Sequence, residues 1–310
     1  MTGKTIASID LGSNSCRLRV ADESAHVLFM DSKATMLGEG LAKTGLLSQD
    51  SVERGLKAFE EFSSVMEKYH VTKYRAITTE ACRKALNGQD FINMIKEKTG
   101  IKLEIIDAKE EARLNLKGAS RNANKCKQYI VVYDLGGAST EISLAKNDKD
   151  CEILYTISIP WGARNAMEAY DLKEFDKNKA LKLRDDIQKE VKKFIKNSDF
   201  ERYQNDCCLI ATSGTPLRLC AMVKDDGTYV KDKNDGASVL CKDFNQAIEC
   251  ICKMNLKERE NCPYLSVDRA PIFVAACVIF KAIYDALGFD EMIVSFKGAQ
   301  DAILEELCHG

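Results

Sequence analysis

The chain has 310 residues, of which 45% are hydrophobic, 7% aromatic and 30% charged. That make-up suits about two globular domains and argues against disorder or a fibre. Lys and Arg number 45 against 47 Asp and Glu, a formal charge of -2, so there is no global basic footprint and no nucleic-acid partner is expected.

Three histidines, His26, His70 and His309, lie far apart. They offer neither a zinc-ligand spacing nor the base of a Ser-His-Asp system, and a surface or helix-cap position is expected for each. The 13 cysteines include no CxxC pair. With no signal pattern in MTGKTIASID, they read as reduced, mostly buried thiols of a cytoplasmic protein. The apolar run from Ala270 to Phe280 is too short to span a bilayer, so no membrane partner is expected.

In chain order, ASIDLGSNSCRLRV (residues 7–20) predicts strand, turn and strand, and His26–Asp31 predicts a third strand. Ser48 then precedes apolar residues at Val52, Leu56, Phe59, Phe62 and Met66, the spacing of a capped amphipathic helix. Lys73–Thr78 predicts a strand, followed by a helix with Arg83 in its first turns. Leu103–Ile106 is a further strand, and KEEARLNLKG after it is a helix with acids at its positive end. The polar stretch Ser120–Gln128 marks a crossover.

The pattern then starts again. VVYDLGGASTEISL (residues 131–144) repeats the first strand–turn–strand unit, with Asp10 and Asp134 standing 124 positions apart. Strands are expected over Gln128–Asp134, Thr140–Leu144 and Cys151–Ile159, and a charged-faced helix over Lys173–Lys196. Leu209–Thr212 is a strand entering Ser213-Gly214-Thr215, which opens a helix. Val223–Gly236 reads as a solvated loop, Asp268–Leu287 as a buried helix, Met292–Ser295 as a strand and Gly298–Leu307 as a closing helix. Two matching units a domain-length apart indicate a duplicated domain.

Three glycine-bearing turns stand out as candidates for chemistry: Asp10–Ser15, Asp134–Ser139 and Ser213–Thr215. Small residues at a strand end let backbone N–H groups converge on an anion, and a strand-end Asp can hold a hard cation. Each turn could equally be only a hairpin. Neither a Walker A sequence nor GxGxxG is present. Glu110 and Glu111 read either as water-orienting carboxylates or as dipole complements on a helix face. Glu141 follows the second turn. Arg17, Arg83 and Arg269 flank turns or helix starts, where a guanidinium can fork phosphate oxygens or serve a surface ion pair.

These residues occur in a known order. IDLGSNSCRLRV, LGEGLAKTGLLS, TTEACRKALN, KEEARL and DLGGASTE are followed by SIPWGA, IATSGTPLRLCA and DRAPIFVAACVIF. Together they resemble the exopolyphosphatase / guanosine pentaphosphate phosphatase (Ppx/GppA) family in its short form, from residue 5 to about 307. The family belongs to the sugar kinase–actin–Hsp70 superfamily. The resemblance implies two ribonuclease-H-like (actin-like ATPase) α/β domains with mixed sheets around a central cleft. The expected domains are 1–120, with the helix at about 298–310 packing back on it, and 121–310. It implies a hydrolase that uses Mg2+ to release the terminal phosphate of polyphosphate, with short chains favoured, or of pppGpp.

By motif, Glu111 is the implied water-orienting base. Asp134, Asp10 and Glu141 would serve the metal, and Glu141 alternatively the attacking water. Ser13, Asn14 and Ser15 of the first turn would face Gly136, Gly137, Ser139 and Thr140 of the second in binding phosphate. Arg83, Gly214, Thr215 and Arg269 would complete the set. A homodimer is left open.

The chain departs from the family pattern at several places. Ala138 replaces a third glycine, at a cost of roughly 1 kcal/mol if that position needs positive φ. Ala108 replaces a glycine, Ser213 replaces the first glycine of Gly-Gly-Thr, and Pro271 replaces an Asp. The closing motif reads Ser295-Phe296-Lys297-Gly298-Ala299-Gln300-Asp301-Ala302, without one acid and one arginine of the family. These changes motivate an alternative, a catalytically weak regulator that binds polyphosphate or nucleotide. A kinase of the same superfamily ranks last.

Overall fold

The computed structural model describes residues 4–125, 127–148 and 151–309. It divides into two compact units, Met1–Leu114 with Ala299–Gly310, and Asn115–Gly298. The division falls inside a helix, earlier than the polar stretch at 120–128. That stretch forms a 3-10 turn over Ser120–Lys125, and Cys126 lies outside the described residues.

The elements of the first unit are β1 (Thr5–Leu11), β2 (Ser15–Asp22), β3 (Val27–Ala34), α1 (Leu41–Thr44), α2 (Gln49–Lys68), β4 (Val71–Thr78), α3 (Glu80–Lys84), α4 (Gly88–Thr99), β5 (Leu103–Ile105) and the first half of α5 (Ala108–Ala119). The rest of α5 begins the second unit, which continues through β6 (Tyr129–Leu135), β7 (Thr140–Lys146), β8 (Ile153–Ile159), α6 (Ala163–Tyr170), α7 (Lys177–Asn197), β9 (Cys207–Thr212), α8 (Gly214–Val223), β10 (Ala237–Leu240), α9 (Cys241–Lys253), α10 (Leu256–Glu260), α11 (Phe273–Leu287) and β11 (Glu291–Ser295). The closing helix α12 (Ala299–His309) belongs to the first unit.

The first sheet has the order β3-β2-β1-β4-β5, with β1–β2–β3 antiparallel and β1–β4–β5 parallel. The second has the order β10-β11-β9-β6-β7-β8. Reading β6 as the counterpart of β1, it repeats the same arrangement and adds β10 at one edge. The duplication at spacing 124 extends to atomic detail. Leu11 pairs with Cys16 and Leu135 with Thr140. Gly12 N–H donates to Ser15 O, and Gly136 N–H to Ser139 O, both at 3.0 Å.

Helices cover the sheets because the strand residues alternate between faces. In the first unit, Phe59, Phe62 and Phe91 of α2 and α4 pack with Ile9, Leu11 and Leu18. Ala302 and Ile303 of α12 pack with Ile77, Ile106 and Leu114. A buried ion pair, Arg19 to Asp301 at 2.7 Å, fastens α12 to β2. In the second unit, Val131, Tyr133 and Leu135 of β6 join the core with α7 and α11, while Ile130 and Val132 pack against Leu116 and Ala119 of α5. A strand buried on both faces reads as a continuous apolar run, as this one does.

The segment Ala270–Leu287 is apolar and long enough to cross a membrane by composition, but 72% of it is buried here. It serves as the core helix of the second unit. It starts as a 3-10 turn at Ala270–Ile272, with α11 proper from Phe273. The single helix expected over Lys173–Lys196 is α7 alone. α6, which charge patterning missed, precedes it, and α9 lies in a stretch for which no element was expected. All three histidines are exposed. Most of the described cysteines are buried, with Cys250 the exposed one.

Candidate active site

In each unit the predicted residues cluster at the carboxyl ends of adjacent parallel strands, where open α/β sheets bind ligands. In the first unit Leu11 of β1 lies beside Thr78 of β4, and Thr78 beside Ile105 of β5. The turn after β1 carries Ser13 and Asn14 and leads into Ser15 of β2, α3 after β4 carries Arg83, and α5 after β5 carries Glu111.

Ser13 and Asn14 are buried, and their carbonyls accept from Gly38 N–H (2.8 Å) and Met36 N–H (3.0 Å). The first turn is therefore pinned by the LGEG segment. Asp10 stands opposite Arg17 across β1–β2, with 3.7 Å between carboxylate and guanidinium. Burial raises the Asp10 carboxyl above its ordinary range, with Arg17 and Arg19 opposing the rise.

The two adjacent glutamates have different surroundings. Asp107 caps α5 by accepting from Glu110 N–H at 2.8 Å. The Glu110 side chain is held by Arg113 (2.6 and 2.8 Å) and Arg75 (3.0 Å). The Arg113 hydrogen bonds, helped by Arg75 and opposed by burial, hold its carboxyl below the usual range. Glu111 instead lies 3.8 Å from Nη2 of Arg83. Arg83 is itself fixed by Glu80 (2.6 Å) and by the Ile106 carbonyl (2.6 Å). Glu80 is buried and also pairs with Lys84. It is a neighbour that sequence reasoning passed over.

In the second unit a single row of paired residues crosses four strands: Thr212 of β9, Asp134 of β6, Glu141 of β7 and Ser158 of β8. Directly paired residues share a face, so two carboxylates stand side by side under the second turn. Position 141 is the repeat counterpart of position 17. The first unit thus sets a cation against its strand-end Asp, and the second sets an anion. Asn115 of α5, buried, donates to Asp134 Oδ2 at 2.7 Å. Ser158 Oγ donates to Glu141 Oε1 at 2.8 Å. Neither Asn115 nor Ser158 was anticipated, although Asn115 stands one helical turn beyond Glu111 in KEEARLN.

The second turn is shaped by the SIPWGA segment. Its carbonyls at Gly136 and Gly137 accept from the N–H groups of Ala163 (2.9 Å), Arg164 (2.8 Å) and Asn165 (3.2 Å), and Ala138 O accepts from Asn165 Nδ2 (2.8 Å). Thr140 Oγ1 donates to Trp161 O at 2.8 Å. Gly162 has no room for a side chain, since a Cβ would meet Ala138 N and Gly137 C at 2.5 Å. Ala138 is not among the described residues with positive φ, so its replacement of glycine carries no left-handed cost.

The strain lies instead at Ser213, with φ 93° and ψ -179°, a region almost reserved for glycine. The Ser213 Oγ is buried and has no hydrogen-bond partner among the described residues. Gly214 and Thr215 follow it into α8, with Arg269 3.8 Å from the position of a Gly214 Cβ.

The altered closing motif is supported by other residues. Asp235 accepts from Phe296 N–H at 2.8 Å, so a carboxylate still serves this turn. Gln300, in place of the family arginine, donates to Ser8 O (3.1 Å) and Arg17 O (3.2 Å).

Duplicated mixed sheets with glycine-bearing turns at their carboxyl ends define an actin-like ATPase fold. Residues 18–309 match the profile of the Ppx/GppA phosphatase family. The chain belongs to that family.

Among curated proteins it is 28% identical over 315 residues to a bifunctional 3-dehydroquinate synthase/phosphatase of Fusobacterium nucleatum. The match covers 96% of this chain and 46% of that protein, so the chain spans about half the length of this relative. Among solved structures it is similar to an exopolyphosphatase from Cytophaga hutchinsonii (22% identity, TM-score 0.88) and to the Aquifex aeolicus Ppx/GppA family member (22% identity, TM-score 0.79). Each match covers 99% of this chain and 98% of the other.

Proposed function

We propose that the chain hydrolyses the terminal phosphoanhydride of inorganic polyphosphate, with short chains preferred, in a magnesium-dependent reaction in the cytoplasm. The observation that carries this reading is the Asp134–Glu141 pair. Like charges directly opposite on a sheet destabilise it, so two carboxylates kept side by side beneath a small-residue turn suit a site for a divalent cation.

The donor set fits magnesium. Among the described residues no group of three His, Cys, Asp or Glu side chains forms a cage. Magnesium characteristically uses one or two carboxylates together with substrate phosphates and water. Asp134 and Glu141 would hold it, and when bound it would neutralise charge on the phosphate oxygens.

The chain's own residues supply the rest. In the second unit the backbone N–H groups of Gly137, Ala138 and Ser139 bind phosphate, with Thr140 holding the turn through Trp161 O, and in the first unit the turn of Ser13, Asn14 and Ser15 offers the same kind of site. Arg83 and Arg269 bind phosphate oxygens through their guanidinium forks. In the first unit Arg17 makes Asp10 part of a neutralised pair, so the metal role falls to the second-unit carboxylates. Glu111, placed beside Arg83 while Glu110 is committed to Arg113 and Arg75, accepts a proton from the attacking water and aligns it. Phosphoryl transfer of this kind needs positioning and electrostatics rather than a covalent nucleophile.

Phosphate release from tripolyphosphate, with and without magnesium, tests the reading against the Glu111→Gln variant. Release that requires magnesium and falls at least a hundredfold in the variant is expected. No release by the wild-type protein would overturn the polyphosphate assignment and turn attention to pppGpp or to binding without turnover. Equal release by both proteins would remove Glu111 from the reaction.

A further inference from the structure

Gly214 opens α8, and the space over its Cα is bordered by two guanidinium groups. A Cβ placed there would lie 3.8 Å from Cζ and Nη2 of Arg269 and 3.9 Å from Nε of Arg218. Those are ordinary contact distances, so the space admits an atom.

Arg269 reaches this point from the turn before α11, where its N–H donates to Ser266 O at 2.9 Å. Arg218 reaches it from α8 itself, one helical turn beyond Gly214. Its guanidinium is held from two sides. Nη1 donates to Tyr264 O at 2.7 Å, and Cζ lies 4.0 Å from the centre of the Tyr229 ring. Stacking fixes the plane of the guanidinium, so less freedom is lost when it bonds a ligand. The first N–H groups of α8 add the positive end of a helix at the same place. Two guanidiniums converging on one point select a multiply charged anion such as a phosphate chain.

We propose that Arg218 is a second substrate-binding cation, gripping a phosphate of the chain over Gly214 together with Arg269. The proposal rests on the polyphosphate reading above. The family resemblance supplied Arg269 but not Arg218, whose only mark in the sequence is its spacing of four from Gly214 in SGTPLR. Arg218 touches bound phosphate rather than the attacking water. Its loss therefore weakens binding of substrate and transition state alike, and raises KM more than it lowers kcat.

The test is calorimetric titration of the full chain with tripolyphosphate and magnesium in the Glu111→Gln background, which prevents turnover, beside steady-state phosphate release in the otherwise wild-type protein. Arg218→Ala is expected to weaken tripolyphosphate binding and raise KM about tenfold or more, as loss of a charged hydrogen bond does, with kcat within about threefold. Arg218→Lys keeps the charge without the fork and is expected to recover only part of the loss. If the alanine variant fails to fold, Arg218→Gln, which keeps most of the stem, carries the same expectation.

A purely structural Arg218 would lower the melting temperature and leave tripolyphosphate affinity unchanged, which would overturn the proposal. Unchanged Arg218 variants beside impaired Arg269→Ala and Glu111→Gln would overturn this assignment alone. Wild-type protein that neither binds nor cleaves tripolyphosphate would overturn the hydrolase reading, and this proposal with it.

Discussion

Replacing Ser213 by glycine should stabilise the second unit. Ser213 sits at φ 93° and ψ -179°, where a residue with a Cβ pays roughly 1–3 kcal/mol in steric strain. Its hydroxyl is also buried without a partner among the described residues, and this adds to the cost. Against these gains, glycine makes the unfolded chain freer by roughly 0.5–1 kcal/mol. The balance is a net stabilisation of about 1–2 kcal/mol, or a few degrees in melting temperature for a unit of this size.

The assay is urea and thermal unfolding followed by tryptophan fluorescence. Trp161 is the one tryptophan of the chain and lies in the second unit, its ring 5.1 Å from that of Tyr170. It therefore reports the relevant unit even if the two units melt separately. Ser213→Ala separates the two costs, because it removes the hydroxyl and keeps the Cβ. It should recover much less than glycine does. A Ser213→Gly midpoint equal to or below the wild-type value would refute the strain argument. A Ser213→Ala midpoint equal to that of glycine would assign the whole effect to the hydroxyl.

Gly162→Ala should displace the second turn, because the new methyl meets its backbone at 2.5 Å. Phosphate release should fall at least tenfold with a loss of stability of about 1–3 kcal/mol, and an active, fully stable variant would contradict it. Asn115→Ala removes the donor 2.7 Å from Asp134 Oδ2. It should cut phosphate release about tenfold and destabilise the second unit by about 1–3 kcal/mol, read by kinetics and the Trp161 transition together. Glu110 has a lowered carboxyl pKa, so its pairing with Arg113 and Arg75 stabilises the fold above the ordinary value of 4.5 and is lost as pH falls through the lowered one. Acid titration of Glu110→Gln should show a shallower loss of stability below pH 4.5 than the wild-type protein. Cysteine alkylation at pH 8 should label Cys250 first. Burial pushes Cys82 and Cys220 up to about 11, and Cys207 and Cys241 up to about 12, so these should resist until unfolding.

The duplicated strand–turn–strand units were legible in the chain because their signal is local. Apolar alternation, Asp-Leu-Gly and a small turn sit within fourteen residues, and the hairpin geometry follows from them. The order of motifs along the chain carried the family for the same reason. α6 was missed because it is an eight-residue helix whose stability comes from the core it covers, a tertiary contribution that single-segment propensity does not contain, whereas α9 carries its signal locally, in the helical spacing of Cys241, Phe244, Ala247, Ile248 and Ile251.

What separates Glu110 from Glu111 is likewise absent from their spacing. Both stand in the first turn of α5, and only folding brings Arg75 to one and Arg83 to the other. The penalty expected at Ala138 depended on a backbone angle, and the turn reached its shape without positive φ there, while Ser213 took the strained conformation instead.

The sequence by itself determined the repeat, the strand-end aspartates and the small-residue turns, because each depends on neighbours a few positions away. Only the tertiary structure decided which carboxylates face each other, which glutamate is already paired, and that Arg218 joins Arg269 over Gly214. Those facts depend on sheet register and helix packing, which join residues tens of positions apart through cores that no local pattern encodes.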